Sequence, residues 1–205
     1  QFAELVVSGF VFDGAPSNKY DARTNSLLKG SSRTIPLLGL SQAVVQHLVI
    51  ADNVFLNSAH KAFDVYHSPA SNDAVADIQN NFFLNNVIPM KIAPAGYKGF
   101  LTKSVRLRNN SFVLNWPFNP DATSSNVGAV ELYHKDCCAE LVVEGNLFAY
   151  NAGGAMQHDW PTNRMPKLAI RRNLFFLNAT LFGDGRPEAG VFTGKFGPSP
   201  THQVI

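Results

Sequence analysis

One pattern of apolar and polar positions recurs along the chain. A run of alternating residues ends at an asparagine, and a short apolar stretch carrying a phenylalanine follows. The clearest copy is Leu141-Val-Val-Glu-Gly-Asn146-Leu-Phe148. Others are Leu48-Val-Ile-Ala-Asp-Asn53-Val-Phe55, Ala76-Asp-Ile-Gln-Asn-Asn81-Phe-Phe83, Val105-Arg-Leu-Arg-Asn-Asn110-Ser-Phe112 and Leu168-Ala-Ile-Arg-Arg-Asn173-Leu-Phe175. A degenerate copy, Leu5-Val-Val-Ser-Gly-Phe10-Val-Phe12, opens the chain. Alternation such as Val105-Arg-Leu-Arg is a strand period and not a helical one.

The corner positions Phe10, Asn53, Asn81, Asn110, Asn146 and Asn173 are separated by 43, 28, 29, 36 and 27 residues. A repeat of this length with a strand signature implies a solenoid or a propeller. Propeller blades need hairpin turns, and the Asn-Gly and Asp-Gly signals for them are nearly absent from the corners. The leucine-rich consensus is missing too. What remains is an all-β parallel β-helix of about six coils, with three short strands in each. Asparagine suits the corner because it tolerates left-handed backbone and its amide can bond the coils above and below. The expectation is therefore an Asn ladder beside an internal stack of Phe12, Phe55, Phe83, Phe112, Phe148 and Phe175.

The first strand of each coil is less regular. Candidates are residues 35–40, 62–67, 88–92, 129–134, 155–160 and 191–196. Gly128, Gly154 and Gly190 precede three of them. Residues 13–34 form a polar excursion with no expected strand. Trp116–Val127 and Thr180–Gly190 are long loops on the same side, where a repeat protein commonly builds its binding surface. The whole chain, 1–205, reads as one domain. Both ends interrupt the pattern, so the expectation is a piece of a longer chain or assembly, because exposed ends of such a stack carry unpaired edges.

This pattern resembles the right-handed parallel β-helix superfamily that includes pectate lyases and related carbohydrate-active proteins. The resemblance spans nearly the whole chain and implies a single-stranded right-handed β-helix acting on, or binding, a polysaccharide outside the cell or in the periplasm. The paired-aspartate and Gly-His-Gly signatures of β-helix polygalacturonases are absent, as is the Asp-Pro-His-Asp motif of alginate epimerases. No acidic calcium cluster of the pectate-lyase kind is visible.

Composition adds bounds. The chain is 45% hydrophobic and 16% charged, with net charge +2, which fits a folded protein with no basic block. Neither nucleic acid nor membrane is expected as a partner, and no signal peptide is visible. Cys137 and Cys138 are adjacent, without metal spacing, and read as two thiols at a turn. No metal or cofactor is expected, and His47, His60 and His202 are assigned to none.

Alternation on the first strands turns Phe63, Val65, Val130 and Leu132 inward. Tyr66, Lys91, Tyr133, Asp159 and Lys195 then form one outward row, and Asp64, Glu131 and Gln157 a neighbouring row. His67, His134 and Trp160 stand at the strand ends. Tyrosines and polar groups suit a sugar polymer: ring faces pack on pyranose rings and polar groups bond hydroxyls. Catalytic candidates are Lys91, Tyr133, His134, Glu131 and Asp159, and substrate-binding candidates are Asp64, Tyr66, His67, Gln157, Trp160 and Lys195. β-Elimination on a uronic acid would use Lys91 as base or cation, with Tyr133 or His134 as acid or base. Hydrolysis would use two carboxylates such as Asp64 and Glu131. The alternative is a structural module of a fibre, spike or filament with no catalysis, associating end to end or side by side. The second-strand residues Asp77, Gln79, Arg106, Arg108, Glu144 and Arg171 read as a solvated ionic wall.

Overall fold

The structure is a computed structural model that describes residues 2–14, 20–21, 26–27, 36–58, 60–92, 102–115, 129–132, 138–151, 155–158, 167–178 and 192–194. Among them there is no helix. The strands build two parallel sheets and one short antiparallel pair.

The strands that end at the asparagine corner are β1 (Phe2–Ser8), the C-terminal half of β5 (Leu38–Ala51), β8 (Val75–Gln79), β11 (Thr102–Arg108), β14 (Cys138–Glu144) and β17 (Lys167–Arg171). They pair in that order, in the register Val7–Ile50–Ile78–Leu107–Val143–Ile170. The phenylalanine strands are β2 (Val11–Asp13), β6 (Val54–Leu56), β9 (Phe82–Leu84), β12 (Ser111–Val113), β15 (Leu147–Ala149) and β18 (Leu174–Phe176), and they form a six-stranded sheet of their own. The first strands are the N-terminal half of β5, then β7 (Lys61–Pro69), β10 (Ile88–Ile92), β13 (Val130–Leu132), β16 (Met156–His158) and β19 (Phe192–Gly194). Successive repeats thus lie in parallel register throughout, an arrangement consistent with a β-helix.

Three separate strands per repeat are not kept everywhere. β5 runs unbroken for 14 residues, pairing with β7 through Leu38–Val45 and with β8 through His47–Ala51. It turns the corner by a register irregularity between Ser41 and Val44, because a bulge bends a strand without breaking it. The first and second strand families therefore merge into one 11-stranded sheet. The excursion at 13–34 also holds strands: β3 (Tyr20–Asp21) and β4 (Ser26–Leu27) pair antiparallel. A long segment still has to satisfy its backbone groups, and a local pair does so.

The core is a column of identical rings. Phe12, Phe55, Phe83, Phe112, Phe148 and Phe175 stack with centroids 4.9, 4.7, 4.8, 4.8 and 5.1 Å apart and planes within 11°. These spacings are the strand spacing itself, so each ring stacks on its neighbour wherever the backbones pair. Leu48, Ile50, Ile78, Leu107, Val143, Phe63, Met90, Val130 and Met156 close the core around it.

The ladder runs through Asn53, Asn81, Asn110, Asn146 and Asn173, the first four of them buried. Each side-chain oxygen accepts the backbone N–H of the preceding repeat, beginning with Phe10 N–H to Asn53 Oδ1 at 3.0 Å. Each Nδ2 donates to a main-chain oxygen of the preceding repeat: Asn110 to Ile78 at 2.8 Å and Asn146 to Leu107 at 2.9 Å. The left-handed residue is not the ladder asparagine but the one before it: Gly9, Asp52, Asn80, Asn109, Gly145 and Arg172 all have positive φ. The corner divides its two tasks between neighbours, one turning the chain and the other filling the interior.

A second ladder, unread in the sequence, stands five residues on. Ser58 N–H donates to Asn86 Oδ1, and Asn86, Asn115, Asn151 and Asn178 continue the series at 2.8–3.2 Å. Its left-handed residues are Asn57, Asn85, Leu114, Tyr150 and Leu177. A non-glycine residue held there costs roughly 1–3 kcal/mol and persists only where the surroundings over-determine it. Asn178 belongs to a sequon, yet its amide donates to Phe148 O and its oxygen accepts from Asn151. The repeat accounts for that residue. Cys138 is buried at the start of β14, and Cys137 lies outside the described residues.

The ladder carries a measurable cost. Asn110→Ala strands the Asn81 N–H and the Ile78 carbonyl and removes one of the two donors to the Asn146 oxygen, so stability should fall by about 3 kcal/mol. Asn173→Ala, where the ladder is only partly buried, should cost less than half of that. Urea midpoints at constant slope test both; equal losses at the two positions would show that burial does not set the ladder's strength.

Candidate functional site

The register of the first strands rests on the inward residues. Phe63 pairs with Met90, Met90 with Val130, Val130 with Met156 and Met156 with Phe192. All but Phe192, whose side chain is not described, are fully buried. The next positions along the strands pair in a single column: Gly39, Asp64, Lys91, Glu131, Gln157 and Thr193.

This corrects the two rows expected from alternation. Lys91 does not stand with Tyr66 and Tyr133; it stands between Asp64 and Glu131. The outward parity holds, because a shift of two residues keeps the face, but the row changes. Packing of Met90 against Phe63 and Val130 selects the pairing, and alternation alone does not. Asp64 and Glu131 lie two strand spacings apart, ~10 Å between backbones.

The second correction concerns exposure. Asp64 is only 7% exposed and Lys91 only 9%, although both leave the core on the outward side. Glu131 is half-buried. Charges shielded from water interact more strongly than at an open surface. Lys61 Nζ donates to Asp64 Oδ2 at 2.6 Å, with both side chains largely buried. The other oxygen, Asp64 Oδ1, is buried with no hydrogen-bond partner among the described residues. Such an oxygen costs free energy until a donor reaches it.

Two members of this cluster escaped the sequence reading. Lys61 lies just before the apolar start of β7 and has no outward parity to mark it. His60 precedes it; its carbonyl accepts from Ile88 N–H at 2.8 Å, which fixes the corner. Burial lowers the His60 pKa below its ordinary value of 6.5, Lys61 and Lys91 push it further down, and Asp64 opposes them. His60 is thereby held as the neutral imidazole near neutral pH, with a lone pair for a proton. Lysine neighbours were its only signal, and that signal emerges only once Lys91 is placed beside Asp64.

Other expected residues are described by backbone alone or lie outside the described residues. The backbone of Tyr66 pairs with Ser41, but the side chains of Tyr66, His67 and Gln157 are not among the described ones. Tyr133, His134, Asp159, Trp160 and Lys195 lie outside the described residues, as do the loops at 116–127 and 180–190 and the glycines at 128, 154 and 190. The backbone of His158 pairs with Leu132 and Gly194.

The other outward wall of the 11-stranded sheet is ionic. Arg171 Nε lies 3.1 Å from Glu144 Oε1, Lys167 Nζ 3.7 Å from Glu140 and Arg106 Nη1 3.6 Å from Asp77. His47 is not isolated there: its Nδ1 is 3.1 Å from Glu4 and its Nε2 3.1 Å from Asp77. Among the described residues no group of three histidine, cysteine or carboxylate side chains is arranged to hold a metal ion. No helix among them is long and apolar enough to cross a membrane.

Compared with protein-family models, with curated proteins and with solved structures, the chain matches no family, no curated protein and no solved structure.

The neutral state of His60 has a thermodynamic consequence. Its pKa is lower in the folded chain than in the unfolded one, so below about pH 6.5 the unfolded chain binds the proton first. The stability His60 contributes is complete above that value and is lost as pH falls toward the folded pKa. His60→Gln should therefore be less sensitive to acid than the parent between pH 7.5 and pH 5 in urea unfolding. Parallel pH profiles for the two proteins would contradict a buried neutral His60.

Proposed function

We propose that the chain winds as one right-handed parallel β-helix of about six coils and works as a polysaccharide-binding or polysaccharide-processing protein outside the cell or in the periplasm. The outward column of the first strands is its working face. The observation that carries this reading is the buried charged column itself. Asp64, Lys91 and Glu131 stand in line, Asp64 keeps an oxygen without a donor, and Lys61 and a neutral His60 stand beside them. Structural ion pairs gain little from a buried oxygen left open, whereas a sugar hydroxyl is a donor that would close it.

The reaction this set suits best is β-elimination on a uronic acid polymer. A lysine ammonium balances the substrate carboxylate, which acidifies the C5 proton. His60 takes that proton, the electron pair forms the C4–C5 double bond, and the C4–O bond breaks. The departing oxygen takes a proton from an acid, for which Tyr133, His134 and Glu131 are the candidates. Asp159 is a further catalytic candidate, and Trp160, Tyr66, His67, Gln157 and Lys195 are the candidates for binding neighbouring sugars. Glycoside hydrolysis is the variant chemistry, with Asp64 and Glu131 ~10 Å apart by backbone, near the span of an inverting pair.

A structural role is the second reading, favoured by the unbroken ring stack and the two ladders, which make a stiff element whatever its outer face does. Assay against pectate, alginate and glycosaminoglycan polymers, followed through the unsaturated product, separates the two. The enzyme reading expects cleavage in the parent and at least a hundredfold loss in His60→Ala and Lys91→Met with circular dichroism unchanged. If no uronic polymer is bound or cleaved, the structural reading stands.

A further inference from the structure

The six-stranded sheet of β2, β6, β9, β12, β15 and β18 buries its phenylalanines on one side, and its other side is half-buried or exposed except at Ala149, which is buried. Outward positions form two columns. One is Val11, Val54, Phe82, Ser111, Leu147 and Leu174; the other is Asp13, Leu56, Leu84, Val113, Ala149 and Phe176. All but Asp13 and Ser111 are apolar. Strands that read Val-Phe-Leu, Phe-Phe-Leu, Leu-Phe-Ala and Leu-Phe-Phe have the continuous apolar character of parallel strands covered on both faces. Here Val11, Leu174 and Phe176 are exposed, and Phe82 sits at the edge of exposure.

The edge of the strip adds a second observation. At the left-handed corner the earlier repeats place Asn57 and Asn85, residues at ease in that conformation. The later ones place Leu114, Tyr150 and Leu177, each about half exposed at 47%, 49% and 51%. Tyr150 meets Phe176 edge-on at 5.3 Å, yet all three side chains accept backbone strain and water contact together. Strain of this kind points to a use outside the fold.

We propose that this strip docks on the same strip of a second copy of the chain, face to face about a two-fold axis that sets the two stacks antiparallel. Three features select a second copy. The columns repeat at the strand spacing, ~4.8 Å, and a second strip has that repeat, whereas a helix with its ~5.4 Å pitch falls out of step. Antiparallel pairing of the last five repeats sets Leu56 toward Phe176, Phe82 toward Leu147 and Leu84 toward the small Ala149, with Val113 on the axis. The opposite rim carries Asp52 at one end and the exposed Arg172 at the other, with Asn80, Asn109 and Gly145 between. In the same pairing Asp52 meets Arg172 of the second copy twice. This is an isologous contact.

The strip is ~24 Å long and ~10 Å wide, well short of the ~800 Å² per partner of a standard interface. The association is therefore weak and reversible, filled at high local concentration. Sedimentation velocity of the full chain from about 10 μM to 1 mM tests it. The weight-average mass should rise toward twice 22.4 kDa. Leu174→Glu and Val113→Glu should each weaken the association at least tenfold with circular dichroism intact. Arg172→Asp should weaken it, and the double variant Asp52→Arg with Arg172→Asp should restore it. A monomer at every concentration overturns the proposal, as does association indifferent to these variants. Failure of the charge exchange to restore what Arg172→Asp removes overturns the antiparallel arrangement, even where Leu174→Glu does not fold.

Discussion

A buried asparagine side chain offers two donor hydrogens and an oxygen with two lone pairs, and every one of them must find a partner. In this chain the partners are the repeats immediately before and after. The Asn81 oxygen accepts from the backbone and the amide of Asn53, and the Asn81 amide reaches back to Ile50 O and on to Asn110 Oδ1. That requirement fixes which residue lies over which. A register slip by one residue would leave buried amides and carbonyls unpaired along the whole ladder, so neighbouring repeats lock one another in place. The phenylalanine column follows from that lock, since rings two residues beyond the ladder stack only when the ladder is in register.

The same regularity separates the molecule into surfaces of different character. Inward positions give apolar columns, two of them on the second strands. Outward positions give an ionic wall on the second strands, an apolar strip on the third, and a partly buried charged column on the first. Each character is a consequence of stacking, because any residue placed outward is multiplied by the strand spacing into a row. The charged column differs in shielding: its residues, Asp64, Lys91, Glu131 and Gln157, change from repeat to repeat as Gln79, Arg108, Glu144 and Arg171 of the ionic wall do, but Asp64 and Lys91 are held out of water. Shielded charge within a regular frame is what a site for one particular ligand would require.

Much of the frame was legible in the sequence because its signals are local. Asn53, Asn81, Asn110, Asn146 and Asn173 recur with a phenylalanine two places on, and both ladder and ring stack follow. The second ladder was missed because Asn86, Asn115 and Asn151 follow the stronger motif so closely that they read as its tail. The site was less legible. Its outward parity was correct, but its row was not, because the partner of Lys91 is chosen by Met90 packing between Phe63 and Val130, a contact between distant segments. Burial of Asp64 and the neutral state of His60 were out of reach for the same reason: each depends on charges that only stacking brings together.

The proposed site of ligand recognition is the first-strand column and not the ionic wall or the apolar strip. Amide and side-chain NMR shifts during titration with uronic oligosaccharides test that most directly. Shifts concentrated on His60, Lys61, Asp64, Lys91 and Glu131, with the apolar strip silent, are the expected result. Saturable shifts confined to the third-strand face or to the ionic wall, with the Asp64–Lys91–Glu131 column unmoved, would contradict it.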